Sequence, residues 1–204
     1  MRFLFLSIIC LLAHKGFSQD SAILKVHFLY GSKPVRQYRH VEKRWFGGIL
    51  GGHVGIECDS NQVINFVPIS NFHVFAKQQN RHSAYVVHSV RNFYSIMGSN
   101  ADSVKMAVVY IPIDHKQKLL FDSISTCYLQ QTPYDYAFIG MRCGAAAYDI
   151  LSQLHILHRY SLNAIYKKIF YPKKLRERLF RKAAANRWLI VKREGSKRRK
   201  WEQD

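Results

Sequence analysis

The stretch Gly51-Gly52-His53-Val54-Gly55-Ile56-Glu57-Cys58-Asp59-Ser60-Asn61-Gln62-Val63-Ile64-Asn65-Phe66-Val67 decides how the rest of the chain is read. Two β-type runs, His53–Cys58 and Gln62–Val67, flank a turn of Asp59, Ser60 and Asn61, residue types that hydrogen-bond to their own backbone and favour reversals. Side chains alternate between the two faces of a strand, so the loop length fixes which residues meet. A three-residue loop, over Cys58–Ser60 or Asp59–Asn61, brings His53 and Asn65 to one face, directly opposite or one diagonal step apart. A two-residue loop sends them to opposite faces. The spacing therefore permits an imidazole held by a side-chain amide.

Upstream, Ile23–Tyr30 has the composition of a first strand, closed by Gly31, Ser32, Lys33 and Pro34. A basic, aromatic connector over Arg36–Phe46 leads to Gly47, Gly48, Gly51 and Gly52, a backbone suited to walling a site. It is not a phosphate loop, because the Lys-Ser/Thr ending and the following helix are missing. Downstream, Ala84–Val90 and Met106–Ile113 read as strands. Asp114 is a natural N-cap for an amphipathic helix to about Gln130, with Leu120, Ile124, Cys127 and Tyr128 at helical spacing, and Thr132 and Pro133 end it. After a loop over Tyr134–Arg142, a second helix runs from Cys143 to about Leu157. A third spans about Ser161–Phe170 and stops before Pro172. Cys143 thus stands in the first turn of a helix, where the positive end of the dipole and unpaired N–H groups favour a thiolate and a developing oxyanion.

With 204 residues, 48% apolar and 22% charged, the chain has the makings of one folded domain rather than a disordered polyelectrolyte. Its 31 Lys and Arg against 13 Asp and Glu give a net charge of +18, which favours anionic partners. Fifteen of the cations, against only Glu177 and Glu194, lie between Lys167 and Lys200. That segment is expected to be a basic helical extension over 167–204, a solvated helix with a frayed end, with anionic lipid or lipopolysaccharide as its candidate partner. Arg2 followed by the apolar run Phe3–Ala13 and a polar stretch to Gln19 reads as a secretory signal peptide over 1–19. The run is far shorter than the ~20 residues a spanning helix needs. Export, periplasmic or secreted, leaves Cys58, Cys127 and Cys143, an odd number, so at least one thiol stays unpaired. Cys58 and Cys127 are a possible disulfide pair. The main domain is expected over 20–166.

Gly-Gly-His-Val-Gly-Ile-Glu at 51–57, Val-Ile-Asn at 63–65, and Tyr-Asp-Tyr-Ala-Phe at 134–138 leading to Arg-Cys-Gly at 142–144 resemble the circularly permuted papain-like amidases. These are related to NlpC-type cell-wall peptidases and to lecithin retinol acyltransferase. In the permuted order the His-bearing strand precedes the Cys-bearing helix, as it does here, and the resemblance covers about His53–Leu157. It implies an α+β fold, an antiparallel sheet or half-barrel packed against the Cys-bearing helix. It also implies Cys143 as nucleophile, His53 as base and later acid, and Asn65 as the residue that orients the ring. The chemistry agrees, since a thiol needs a base near neutral pH and the base needs a third group to fix its tautomer. Gly52, Arg142, Tyr134 and Asp135 are the candidate substrate-binding residues. Arg142 stands where unpermuted cell-wall peptidases keep an Asp that captures a free amino terminus; a cation there favours a thiolate or an anionic substrate group.

The expected function is an exported cysteine hydrolase acting through an acyl-thioester on a peptidoglycan peptide or an acylated lipid. Whether water or another acceptor resolves the thioester is left open. The alternative is a non-catalytic envelope-binding module. No cofactor is expected, and without CxxC or HExxH spacing no metal is either. Export and the lack of a reading motif argue against nucleic acid as a partner.

Overall fold

A computed structural model describes residues 22–42, 51–58, 60–69, 73–76, 82–96 and 100–204. The signal-peptide expectation over 1–19 and the glycines at 47 and 48 lie outside the described residues. In chain order the strands are β1 (Ala22–Leu29), β2 (Ser32–Pro34), β3 (His53–Cys58), β4 (Gln62–Pro68), β5 (His73–Phe75), β6 (Ser83–Ser89), β7 (Met106–Ile113), β8 (Ala137–Ile139), β9 (Ile190–Arg193) and β10 (Arg199–Trp201). The helices are α1 (Val90–Ser95), α2 (His115–Gln130), α3 (Cys143–Gln153), α4 (Leu162–Lys168) and α5 (Pro172–Asn186). The fold is mixed α+β, built on a six-stranded antiparallel sheet in the order β6-β4-β3-β1-β7-β9. None of the helices among the described residues is long and apolar enough to cross a membrane.

β1 and β3 sit inside the sheet, and all six residues of β3 are buried, which accounts for their β-branched and aromatic composition. The hairpin between β3 and β4 pairs Gly55 with Asn65, so His53 and Asn65 share a face one diagonal step apart. Asn61, at φ 53°, supplies the left-handed residue that closes the reversal. α2 begins with a capping box: the Asp114 carboxylate accepts from the Gln117 N–H at 2.8 Å, and Gln117 Oε1 accepts from the Asp114 N–H at 3.1 Å. Cys58 is buried and Cys127 exposed, and no disulfide joins them.

α3 is buried along its length from Cys143 to Ser152 and lies against β3 and β4. Its small residues let neighbours approach closely. A Cβ on Gly144 would lie 3.1 Å from Cα of Pro172, the first residue of α5, so only glycine fits without displacing that helix.

The segment after residue 166 is not the loose basic extension that its charge suggests. Leu175, Leu179 and Ala183 form an apolar stripe at four-residue spacing and are buried, docking α5 on α3 and β7. β9 then adds the sixth strand to the sheet, and β10 pairs with β2, which turns the expected Gly31–Pro34 turn into a short ladder. Arg176, only 1% exposed, donates to Glu202 at 3.1 Å and Asp204 at 3.0 Å and lies 3.8 Å over the Tyr30 ring. The Glu202 N–H donates to the Gly31 carbonyl at 2.8 Å. Fifteen cations mask a stripe of three apolar residues in a pattern dominated by charge at the surface.

Deleting residues 199–204 would leave the buried Arg176 without its carboxylates, a loss expected to cost about 3–5 kcal/mol. Urea unfolding of the truncated chain should show a clearly lower midpoint. An unchanged midpoint would mean that the end is frayed after all.

Candidate active site

His53 and Cys143 are the first residues of β3 and α3, ninety positions apart in the chain, and their side chains come close enough for each to shift the titration of the other. Gly52 prepares the approach. It has φ +83°, and a Cβ there would lie 2.3 Å from the Leu29 carbonyl oxygen, so the backbone entering β3 is pressed against the end of β1. Its part is to place the next residue.

On the far side of the ring, His53 Nε2 donates to Asn65 Oδ1 at 2.9 Å. The orientation of the amide follows from its other end, because Asn65 Nδ2 faces three acceptors: the carbonyls of Val63 at 3.3 Å and Val86 at 3.2 Å, and His88 Nδ1 at 2.9 Å. With the amide so fixed, the Nε2 proton is held on the side of Asn65, and Nδ1 is the nitrogen left to take the thiol proton. Burial, and then the charge on His53, keep His88 below its ordinary value, so it stays neutral and able to accept. Phe93 of α1 covers the His53 ring at 5.5 Å between centroids. Gly55 makes room for it, since a Cβ there would come within 2.9 Å of the Phe93 ring.

The thiol and the imidazole shift each other. Burial on its own pushes the Cys143 thiol up, but the His53 charge, the His53 hydrogen bond, Arg142 and a Tyr136 hydrogen bond together bring it below its ordinary value. Burial likewise pushes His53 down, and the Cys143 charge, the Cys143 hydrogen bond and Asn65 more than reverse that, raising it. The pair is thereby biased toward thiolate and imidazolium.

Tyr136 is the residue that reading the sequence missed. Its phenol contacts both the sulfur and the backbone N–H of Cys143, and burial followed by the Cys143 charge holds it protonated far above the ordinary phenol range. α3 opens without a side-chain cap, so the N–H groups of its first turn are not consumed by one. The Cys143 N–H is directed at the Tyr136 oxygen, which leaves the phenol hydroxyl as the donor beside the sulfur placed to meet a developing oxyanion. Its spacing from Cys143 gave a weak signal only, because the loop must double back, with Tyr136 bridged to Met141, for the ring to return to the helix.

The remaining candidates have other surroundings. Arg142 donates to the Phe170 carbonyl, and its guanidinium lies over the rings of Phe170 at 4.4 Å, Tyr171 at 5.0 Å and Phe138 at 5.4 Å. It acts on the thiol as a nearby positive charge. The Tyr134 hydroxyl meets that of Tyr85 and the carboxylate of Asp149. Asp135 is buried and accepts from Ser83 Oγ at 3.5 Å. Among the described residues no cluster of three or more His, Cys, Asp or Glu has the arrangement to hold a metal ion. A scan against protein-family models, a search of curated proteins and a search of solved structures each found no match for this chain.

Replacing Tyr136 with Phe removes one hydrogen bond to the thiolate, worth about 1–1.5 kcal/mol, or about one pKa unit. The pH of half-maximal iodoacetamide labelling at Cys143 should rise by up to about that amount. A fall, or no change, would remove Tyr136 from the site.

Proposed function

We propose that the protein is a cysteine hydrolase of the permuted papain-like type, acting on an amide or ester through an acyl-thioester. The observation that carries this reading is the line from the Cys143 thiol to the His53 imidazole, each shifting the other, and on through a hydrogen bond to the Asn65 amide. Three supporting features accompany it: a thiol at a helix start without a side-chain cap, a phenol hydroxyl beside the sulfur, and the His-before-Cys order along the chain.

In this reading the Cys143 thiolate attacks the acyl carbon, and the carbonyl oxygen takes the negative charge against the Tyr136 hydroxyl. The bond to the leaving nitrogen or oxygen then breaks as His53 hands it the Nδ1 proton. An acceptor enters next. His53 takes its proton, the acceptor oxygen or nitrogen bonds to the acyl carbon, and the carbon–sulfur bond breaks to restore the thiolate. Water as acceptor gives a hydrolase and an alcohol or amine gives a transferase.

The substrate class we infer is an acylated component of the cell envelope, a peptidoglycan peptide or an acylated lipid. Its basis is the signal-like leader together with the basic surface. Lys174, Arg181, Arg187, Lys197, Arg198 and Lys200 are exposed on and after α5, and an anionic lipid or lipopolysaccharide surface is the partner they suit.

Mixing the protein with p-nitrophenyl acetate should release a burst of one nitrophenolate per chain and leave an acetyl mass on Cys143. His53→Ala should slow acylation by about 100-fold or more, and Cys143→Ala should abolish the adduct. An acetyl group distributed over lysines, with no burst, would defeat the proposal.

A further inference from the structure

A second polar cluster occupies the sheet away from the thiol. The register of β1 against β3 sets Lys25 opposite Glu57 and His27 opposite Gly55, so all these positions share one face. Lys25 Nζ donates to Glu57 Oε1 at 2.6 Å, and His27 Nε2 donates to Oε2 at 2.7 Å. The other ring nitrogen of His27 meets the Tyr94 hydroxyl at 2.8 Å. The hydrogen bond from His27, followed by that from Lys25, outweighs burial and brings the Glu57 carboxyl down to about 2. Apolar residues would fill the middle of a sheet at least as well, because a buried ion pair seldom repays its desolvation. The packing alone gives no reason for these groups.

They form the floor of a cleft of about 510 Å³, within the usual span of ligand pockets. Val90, Met106 and Val108 give it apolar walls, while Arg91 and Arg193 bring charge. Arg193 faces Met106 across the β7–β9 ladder and donates through Nη2 to the Ala101 carbonyl, yet its buried Nε meets no acceptor among the described residues. Lys25 is matched by Glu57. The two arginines then outnumber the single remaining carboxylate in the lining, Asp102, which is exposed. A buried N–H without an acceptor beside an excess of positive charge calls for an acceptor that carries negative charge.

We propose that this cleft binds an oxyanion, carboxylate or phosphate, carried on a short apolar stem. The anion lies against Arg193 and Arg91, and the stem runs along Met106, Val108 and Val90. The Phe93 ring separates this cleft from the catalytic imidazole, 6.0 Å from His27 and 5.5 Å from His53, and the inference does not depend on the thiol chemistry.

The test is calorimetric titration of the full chain with hexyl phosphate and with hexanoate, while the His27 ring signals are followed by NMR. Inorganic phosphate serves as the bare anion and hexanol as the bare stem. Saturable binding of at least one amphiphilic anion is expected, tighter than either control, with the His27 signals moving; the tighter of the two identifies the head group. Arg193→Gln should weaken it roughly tenfold and Arg91→Gln by a smaller factor, whereas Cys143→Ala should leave it unchanged. Absence of saturable binding, equal binding of hexanol, unmoved His27 signals, or affinity untouched in the arginine variants would overturn the proposal. Arg91 is exposed, so its variant decides the matter even where Arg193→Gln fails to fold.

Discussion

A thiol and an imidazole, both buried, face each other at the meeting of two element starts, and most of what surrounds them favours their charged forms. Removing either charge from water is costly, and burial alone drives both groups toward their neutral forms. Each is shifted toward its charged form by the other first. Asn65 then holds the ring from behind, while Arg142 and Tyr136 act on the sulfur. The amide that steadies the ring is itself held by two carbonyls and by His88, so the orientation of one imidazole is set by three adjacent strands, β3, β4 and β6.

The same requirement reaches into the C-terminal segment. Cys143 can open a buried helix only because Gly144 admits the start of α5, and α5 stays in place because its apolar stripe and the buried Arg176 are engaged from both sides. The Tyr30–Gly31 turn, which the chain end holds through Arg176 and Glu202, is also the turn against which Gly52 is pressed just ahead of His53. Both partners of the thiol–imidazole pair thus lean on packing supplied by the last third of the chain.

What could be read in the sequence was what depends on local rules. Strand alternation makes the faces of His53 and Asn65 a matter of loop length alone, so their common face followed from a three-residue turn. Asp114 and the helical spacing after it defined α2, and a Thr-Pro stop followed by a loop placed Cys143 at a helix start. What escaped was non-local. Arg199 hydrogen-bonds to Ser32, 167 positions away, and no window of sequence shows that β2 and β10 will pair. His88 reaches Asn65 only through the β4–β6 register, and Tyr136 reaches Cys143 only because its loop folds back. α1 escaped for another reason: six residues are too few to display a period. In the basic segment the cations drew attention from Leu175, Leu179 and Ala183, whose spacing was there to be seen.

Mutual dependence of the two charges can be observed directly by following the His53 ring resonance through a pH titration, in the native chain and in Cys143→Ala. With the thiolate opposite, the ring should stay protonated above about 6.5, the ordinary imidazole value. Without the sulfur, burial should carry its midpoint below that value. A midpoint that is the same in both proteins would contradict the account, because the imidazole would then be indifferent to the group it is said to activate.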